Sequence, residues 1–198
     1  MPTGNSNRTI SFWFYFSKNA NSEKKDFPII STTGDNCLLE QDFTILVVNE
    51  TLYIDICNLN SFMFTDFKLI RNYWNFVVIT FTNNQATVYI NGINNQTIYI
   101  NGLNFQPKSI FFGKRLINNQ TVTANAGLLT DIRIWRKILT NLEIAIVFNS
   151  KPLNHKLVAA WNGITAQSQL KDEVGNLNGN LSTPNVITNS CNNGNSLY

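Results

Sequence analysis

The sequence predicts an all-β protein that folds as a two-sheet antiparallel sandwich of the jelly-roll type. Apolar and polar residues alternate along many short segments, which is the pattern of strands with one buried face. Turn signals separate these segments about every 8–12 residues, a spacing typical of sandwiches and barrels. The chain also holds 14 Phe, 6 Tyr and 4 Trp, and aromatic residues favour the pleated surface of a sheet.

The strongest strand signal lies at residues 8–17 (RTISFWFYFS). Every even position from Ile10 to Phe16 is apolar, and Trp13 and Tyr15 occupy the opposite face. Because both faces are apolar, we expect a central strand. The pattern gives about eleven short strands in all. Others are predicted at 27–33, 43–48, 52–56, 74–82, 86–90, 109–113, 128–135 and 156–161.

The predicted turns are rich in Asn. Hairpins are expected around Asn49-Glu50 and around Asn83-Asn84. Asn91-Gly92 and Asn101-Gly102 suit type I′ turns, which need positive φ at both central residues.

One short helix is predicted at 141–149. Thr140 and Glu143 have the spacing of a capping box, in which each satisfies a backbone N–H of the other. Pro152 follows and cannot continue a helix. From residue 176 onward the chain is rich in Asn, Gly and Ser, so we expect one domain over 1–187 and a flexible tail at 188–198.

Composition and charge argue against several classes of protein. Only 14% of residues are charged and the net charge is +3. Basic residues cluster no further than pairs such as Lys24-Lys25, so the sequence carries no nucleic-acid footprint. No stretch approaches the roughly 18 apolar residues of a transmembrane helix, and the polar start MPTGNSNRT lacks a signal-peptide pattern. The three cysteines have no CxxC spacing, and we expect reduced, inert thiols.

The stretch from Gly127 to Trp161, GLLTDIRIWRKILTNLEIAIVFNSKPLNHKLVAAW, resembles laminin-G-like and pentraxin-like domains of the concanavalin A-like lectin and glucanase superfamily. The shared pattern is a glycine, an Asp, alternation that ends in an aromatic residue, then Leu-Ser/Thr-x-x-Glu-Ile and a Leu-Val-x-x-Trp strand. RTISFWFYF, WNFVVITFTNNQATVYINGI, KSIFFGK and LKDEVGNLNGNL resemble further segments of the family, in the family's order.

The resemblance implies a concanavalin A-like fold and a non-catalytic recognition or adhesion module. Such a module would bind a carbohydrate or a protein partner within a larger surface or secreted protein. The pentraxin disulfide is absent because the matching positions are apolar. Family members usually carry one or two strands before the opening aromatic strand, whereas only residues 1–7 precede it here. We therefore expect an exposed sheet edge near 8–17 that residues 177–187 cover, with any remainder free to pair with another chain.

The resemblance also implies a calcium site, because pentraxin-like domains hold Ca²⁺ with an Asp-Asn pair and a second, acidic loop. Asp35 and Asn36 match the pair and are the candidate metal ligands. The second loop, 113–125, has no acidic residue and begins with Lys114 and Arg115 after its glycine. Ca²⁺ prefers about six to eight oxygen ligands that include carboxylates. We therefore expect weak calcium binding at best and no resident cofactor.

We expect no enzymatic activity. A glycoside hydrolase needs a close pair of carboxyl groups, and glucanases of this fold carry Glu-x-Asp-x-Glu or Glu-x-x-x-Glu, spacings that do not occur here. Glu40 and Asp42 flank a predicted turn without a third carboxylate. His155 is the only histidine and lies in a polar loop.

Four tryptophans are candidates for stacking on sugars: Trp13, Trp74, Trp135 and Trp161. All four lie in strong strand patterns, so we expect at least three of them in the core. Asp131 matches an acidic position typical of the family, where we expect it to anchor a neighbouring turn.

Two other functions stay open. A structural subunit of a large assembly is suggested by the missing opening strands, the low charge and the Asn-rich loops. A glycoside hydrolase would require turnover that depends on a carboxylate such as Glu40.

Overall fold

The computed structural model describes residues 2–17, 27–33, 42–56, 61–82, 84–100, 104–117, 120–123, 127–162 and 169–180. Within these ranges two antiparallel sheets face each other and one helix packs outside them, which confirms the predicted sandwich. The strands are β1 (Arg8–Phe16), β2 (Phe27–Thr33), β3 (Phe43–Val48), β4 (Thr51–Ile56), β5 (Ser61–Phe64), β6 (Trp74–Phe81), β7 (Gln85–Ile90), β8 (Ile93–Tyr99), β9 (Ser109–Phe112), β10 (Lys114–Ile117), β11 (Gln120–Thr123), β12 (Gly127–Trp135), β13 (Leu157–Trp161), β14 (Gln169–Leu170) and β15 (Gly179–Asn180). The helix is α1 (Asn141–Phe148).

Two large sheets form the sandwich. One has six strands in the order β13-β12-β1-β6-β7-β8, and the other has five in the order β5-β4-β3-β2-β9. The pairs β10–β11 and β14–β15 form two small sheets of their own.

The core lies between the two large sheets and is rich in aromatic side chains. Ile10, Phe12, Phe14 and Phe16 of β1 are 0–5% exposed and belong to one cluster with Ile45 of β3. Removing such a side chain from water stabilises the fold by roughly 1.5–3 kcal/mol. The alternation in the sequence therefore gives the register of β1 directly, since every second residue enters this core.

A second apolar cluster covers part of the outer face of the six-stranded sheet. Ile144 and Val147 of α1 are buried there together with Phe76 and Trp135. The indole N–H of Trp135 donates to the carbonyl of Leu153 (3.0 Å), which holds the segment after the helix against the sheet.

The predicted capping box at the start of α1 is confirmed. The backbone N–H of Glu143 donates to the hydroxyl of Thr140 (3.3 Å), and the backbone N–H of Thr140 donates to the carboxylate of Glu143 (3.0 Å). These bonds satisfy N–H groups that a helix end otherwise leaves open.

Positive-φ turns also match the sequence. Asn49 and Glu50, between β3 and β4, have φ values of 48° and 70°, and Asn91 and Gly92, between β7 and β8, have 51° and 82°. The predicted turn at Asn101-Gly102 lies outside the described residues.

The predicted free edge near residues 8–17 is wrong. β1 pairs with β12 on one side and with β6 on the other, so it lies inside the sheet. The described part of the tail, 169–180, lies instead against β13. There Ala160 donates its N–H to the carboxylate of Asp172 (2.9 Å) and accepts a hydrogen bond from the N–H of Glu173 (2.8 Å). Residues 181–187 of the proposed covering segment lie outside the described residues.

At the other end of the six-stranded sheet, β8 carries a bulge. Tyr89 pairs with Asn94 and Val88 pairs with Gln96, so Asn95 has no partner in the β7–β8 register. A bulge interrupts the row of backbone groups along an edge and makes pairing with another chain harder.

The prediction of a loop at 113–125, expected to be the second calcium loop, is wrong. This segment contains the hairpin of β10 and β11. Gly113 donates its N–H to the carbonyl of Ile29 (2.9 Å), which joins the hairpin to β2. The guanidinium of Arg115 contacts the carboxylate of Asp55 on β4 (3.1 Å). The hairpin therefore lies over the outer face of the five-stranded sheet.

Arg8 is buried at the end of the sandwich, with 1% of its surface exposed. Its guanidinium donates to the carbonyls of Pro2, Gly4 and Ser6 and lies 4.7 Å from the centre of the Phe105 ring. Burial lowers the pKa of Arg8 to about 10. The N-terminal residues thus wrap around a cation that the carbonyl dipoles and the aromatic ring stabilise.

Candidate functional site

The candidate site lies on the part of the outer face of the six-stranded sheet beside α1. Three side chains form it, Trp13 and Tyr15 of β1 and Trp74 at the start of β6, and we refer to them as the aromatic strip. They share one face because residues 13 and 15 alternate with the core residues of β1, and Tyr15 pairs directly with Trp74. All three are partly exposed.

The rings of the strip are tilted and do not form one flat plane. Tyr15 and Trp74 have ring centroids 5.6 Å apart at an angle of 59°. Trp13 stacks on Phe148 of α1 (5.7 Å, 21°) and is tilted against Phe76 (5.0 Å, 42°). The end of the helix thus fixes one side of Trp13, while Tyr15 and Trp74 lie further along the strand.

Gly127 allows β12 to run close to the strip. A Cβ atom at this position would lie 1.7 Å from the carbonyl oxygen of Tyr15, a distance no side chain could accept. Gly127, the first residue of the stretch that resembles the family, is therefore required here for steric reasons. It brings Leu128 and Thr130 of β12 opposite Tyr15 and Trp13.

A β-bulge in β12, next to the position opposite Trp13, carries two charged residues. The register shifts between Ser11 and Trp13 of β1, and Asp131 adopts a φ of 47°. Bulges commonly redirect a side chain next to a functional site. Arg133 donates from Nε and Nη2 to the two carboxylate oxygens of Asp131, at 2.5 and 3.1 Å.

The loop before Trp74 is held by one buried amide. Asn75 is 1% exposed; its Oδ1 accepts from the N–H of Ile70, and its Nδ2 donates to the carbonyls of Ile70 and Tyr73, each at 3.0 Å. Tyr73 is 50% exposed at this end of the strip. Asn75 therefore fixes the approach of the chain to Trp74 without contributing to the surface itself.

The arrangement combines apolar ring surfaces with hydrogen-bonding groups. An aromatic ring removes C–H surface from water, and a few placed polar groups set the orientation of a ligand. Thr130 and the carboxylate of Asp131 can supply hydroxyl and carboxylate partners near Trp13, while Nε and Nη2 of Arg133 are taken by Asp131. This chemistry suits a saccharide, which has one apolar C–H face and a rim of hydroxyl groups.

The structure separates the four predicted tryptophans. Trp135 and Trp161 are 0% and 2% exposed and belong to the apolar clusters, and Trp13 packs against the outer cluster. Two of the four therefore lie in the core, and the prediction of at least three is wrong, because Trp13 is partly exposed. Trp74 remains, with Tyr15 as its ring partner. Sequence reasoning did not select Tyr15 as a site residue, although its place opposite the core residues of β1 was visible in the alternation.

The candidate calcium ligands Asp35 and Asn36 lie outside the described residues, as do Glu40 and all three cysteines. Calcium binding by Asp35 and Asn36 therefore stays a prediction. Among the residues that the structure describes, no group of three or more His, Cys, Asp or Glu side chains could hold a metal ion. His155 is exposed. In the same described part, no helix is long and apolar enough to span a membrane.

The fold and the strip together define a lectin-like β-sandwich of two antiparallel sheets. The family model Laminin_G_3, of the concanavalin A-like lectin/glucanases superfamily, matches residues 2–145. The chain therefore belongs to this family, as its motifs indicated. Among curated proteins, none matches the chain.

Solved structures share the fold. A "putative carbohydrate binding protein" from Bacteroides ovatus has a TM-score of 0.69 and 15% identity, over 91% of this chain and 53% of that one. The binding domain of botulinum neurotoxin serotype D has a TM-score of 0.58 and 24% identity, over 75% and 37%. The receptor binding domain of the mosaic serotype C/D neurotoxin has a TM-score of 0.57 and 25% identity, over 73% and 36%. This chain thus matches little more than a third of each toxin domain.

Proposed function

We propose that this chain is a non-catalytic recognition module that binds a saccharide on the aromatic strip, as part of a larger surface or secreted protein. The observation that carries the proposal is the pairing of Tyr15 and Trp74, two partly exposed rings on the sheet face that Trp13 shares and that the Asp131–Arg133 pair of β12 borders near Trp13. Membership of a lectin-like family and the described binding roles of the similar structures support a binding role.

The non-catalytic part of the proposal rests on the carboxylates near the strip. Asp131, the acidic residue of the strip's β12 border, is held by Arg133 in a bidentate ion pair. A glycosidase needs two carboxyl groups about 5–10 Å apart, one of them free to move a proton. Both oxygens of Asp131 accept from the guanidinium of Arg133, so this carboxyl group is not placed to act as one of such a pair.

The test is a glycan array with the whole chain, followed by titration calorimetry on the best ligand. We expect Trp74→Ala and Tyr15→Ala each to weaken binding about tenfold, equivalent to roughly 1.4 kcal/mol. Tyr99→Ala is the matched control, because Tyr99 is an aromatic residue that is 77% exposed on β8.

Three results would count against the proposal. If the array shows no saccharide binding, with or without Ca²⁺, the ligand is of another kind, such as a protein. If the chain binds but Tyr15→Ala, Trp74→Ala and Tyr99→Ala all bind like the wild type, the saccharide occupies another surface. Hydrolysis of the bound glycan would contradict the non-catalytic role.

A further inference from the structure

We infer that the aromatic strip selects uncharged saccharides over anionic ones. The reason is that Asp131 and Arg133, at its border, already neutralise each other in an ion pair. This inference rests on the proposed saccharide site and names the ligand class of that site. The chain as a whole has a net charge of +3, from which one would expect the opposite preference.

Arg133 already uses the donors that an anionic sugar would need. Anionic sugars carry a carboxylate or a sulfate, which proteins bind best with the two parallel N–H groups of an arginine. In Arg133 such a pair of donors, Nε and Nη2, is already taken by both oxygens of Asp131, at 2.5 and 3.1 Å. The two side chains are 14% and 17% exposed. A second carboxylate at this guanidinium would meet the negative charge of Asp131.

Arg71, Arg136 and Lys156 are further cations in the described part of the chain. Arg71 pairs with Glu50 (2.6 Å) and lies over Phe16, a core residue on the opposite face of β1. Arg136 and Lys156 are joined through their backbones next to Trp135, which pairs with Thr9. Thr9 is six residues from Tyr15 along β1, a distance of about 20 Å.

Desolvation also disfavours the binding of an anionic sugar to the strip. An anion that moves from water onto apolar rings loses hydration and needs a compensating partner. The strip itself consists of Trp13, Tyr15 and Trp74, which are aromatic side chains and offer an anion no cationic partner. A neutral sugar loses only hydroxyl hydration, which Thr130 and the outer lone pairs of Asp131 can replace.

The experiment compares neutral oligosaccharides with counterparts that differ only by a terminal sialic acid, a sulfate or a uronic acid, at low and high salt. We expect the neutral member of each pair to bind about tenfold tighter, with little dependence on salt because no net charge is neutralised. Tighter binding of the anionic member, weakened by salt, would overturn the inference and leave the saccharide site itself intact. If neither member of a pair binds, both this inference and the proposed saccharide site are wrong.

The decisive variant is Asp131→Asn. Asn adopts a positive φ more readily than most residues, so the bulge at φ 47° should persist, while the guanidinium of Arg133 loses its anionic partner. The ratio of anionic to neutral affinity should then rise about tenfold. Asp66→Asn is the matched control, because it makes the same change at an exposed residue whose backbone bonds Gln96 of β8, at the other end of the sheet from β12. An equal ratio in both variants would show that the ion pair is not the selector.

Discussion

The carboxylate of Asp172 accepts the backbone N–H of Ala160 at 2.9 Å and thereby joins the tail of the domain to the outer edge of β13. The same side chain accepts the N–H groups of Val174 (3.1 Å) and Leu177 (3.2 Å) and is 3% exposed. A Cβ atom at Gly175 would lie 2.7 Å from its Oδ2, so this turn needs a glycine. One carboxylate thus organises a turn and closes a sheet edge at the same time.

Replacing this carboxylate should destabilise the domain. We expect Asp172→Ala to lower the free energy of unfolding by on the order of 3 kcal/mol, since buried N–H groups lose a charged acceptor. Urea denaturation measures the change. Glu173→Ala is the matched control, because its exposed side chain bonds to exposed Asn162, and it should change stability by less than about 0.5 kcal/mol. Similar losses in the two variants would show that Asp172 does not hold the tail.

The same carboxylate gives a pH dependence with a defined sign. Burial alone raises the pKa of Asp172, but hydrogen bonds from the N–H groups of Ala160, Gly175, Val174 and Leu177 outweigh it, and the net pKa is lowered. A lowered pKa in the folded state stabilises the protein above the unfolded value of about 3.9, and this contribution is lost as pH falls through the folded value. The stability difference between wild type and Asp172→Asn should therefore shrink in acid and stay constant near neutral pH. A difference that persists unchanged at low pH would contradict this.

Local patterns were the part of the fold that the sequence could predict. The box of Thr140 and Glu143 and the turn of Asn91 and Gly92 depend on residues within a few positions of one another, and both were found as expected. The orientation of the side chains of β1 followed from alternation, because successive residues of a strand point to opposite faces of the sheet.

The features that were missed depend on contacts between distant segments or on irregular backbone. Arg8 reads as a polar strand end, and its burial requires Phe105, which lies far along the chain. The bulge at Asp131 interrupts a regular alternation that gives no sign of a positive φ. The hairpin of β10 and β11 read as a loop because KRLI and QTVT show no clear alternation. The tail was expected along residues 8–17, but its described part contacts β13, an edge that only the sheet order reveals.

The helix cap gives a direct test of a local prediction. Thr140→Ala removes the hydroxyl that accepts the N–H of Glu143 and should cost about 1 kcal/mol in unfolding free energy. Thr140→Ser keeps the acceptor and should retain most of the stability. If the alanine variant unfolds at the same urea concentration as the wild type, the cap does not contribute to the stability of the domain.

Replacing Arg8 should destabilise the domain more than replacing an exposed arginine. Arg8→Ala leaves the carbonyls of Pro2, Gly4 and Ser6 without their shared donor and removes packing from Phe105, at a cost of about 3 kcal/mol. Arg136 is exposed, so Arg136→Ala should change stability by less than about 0.5 kcal/mol. The stability loss of Arg8→Lys should lie between those of Arg8→Ala and Arg136→Ala, because an ammonium group lacks the planar set of donors. Equal denaturation midpoints for Arg8→Ala and Arg136→Ala would refute a structural role for the buried guanidinium.

Calcium should stabilise the chain very little. If Asp35 and Asn36 bind Ca²⁺ with a dissociation constant of about 1 mM or weaker, millimolar Ca²⁺ adds at most about 0.4 kcal/mol. For a domain of this size that shifts Tm by roughly 1 °C. Thermal melts in Ca²⁺, in Mg²⁺ and in a chelator measure the shift, and Asp66→Ala controls for the loss of an exposed carboxylate. A rise of several degrees in Ca²⁺ alone, abolished by Asp35→Ala but not by Asp66→Ala, would show a strong site and overturn the expectation of weak binding.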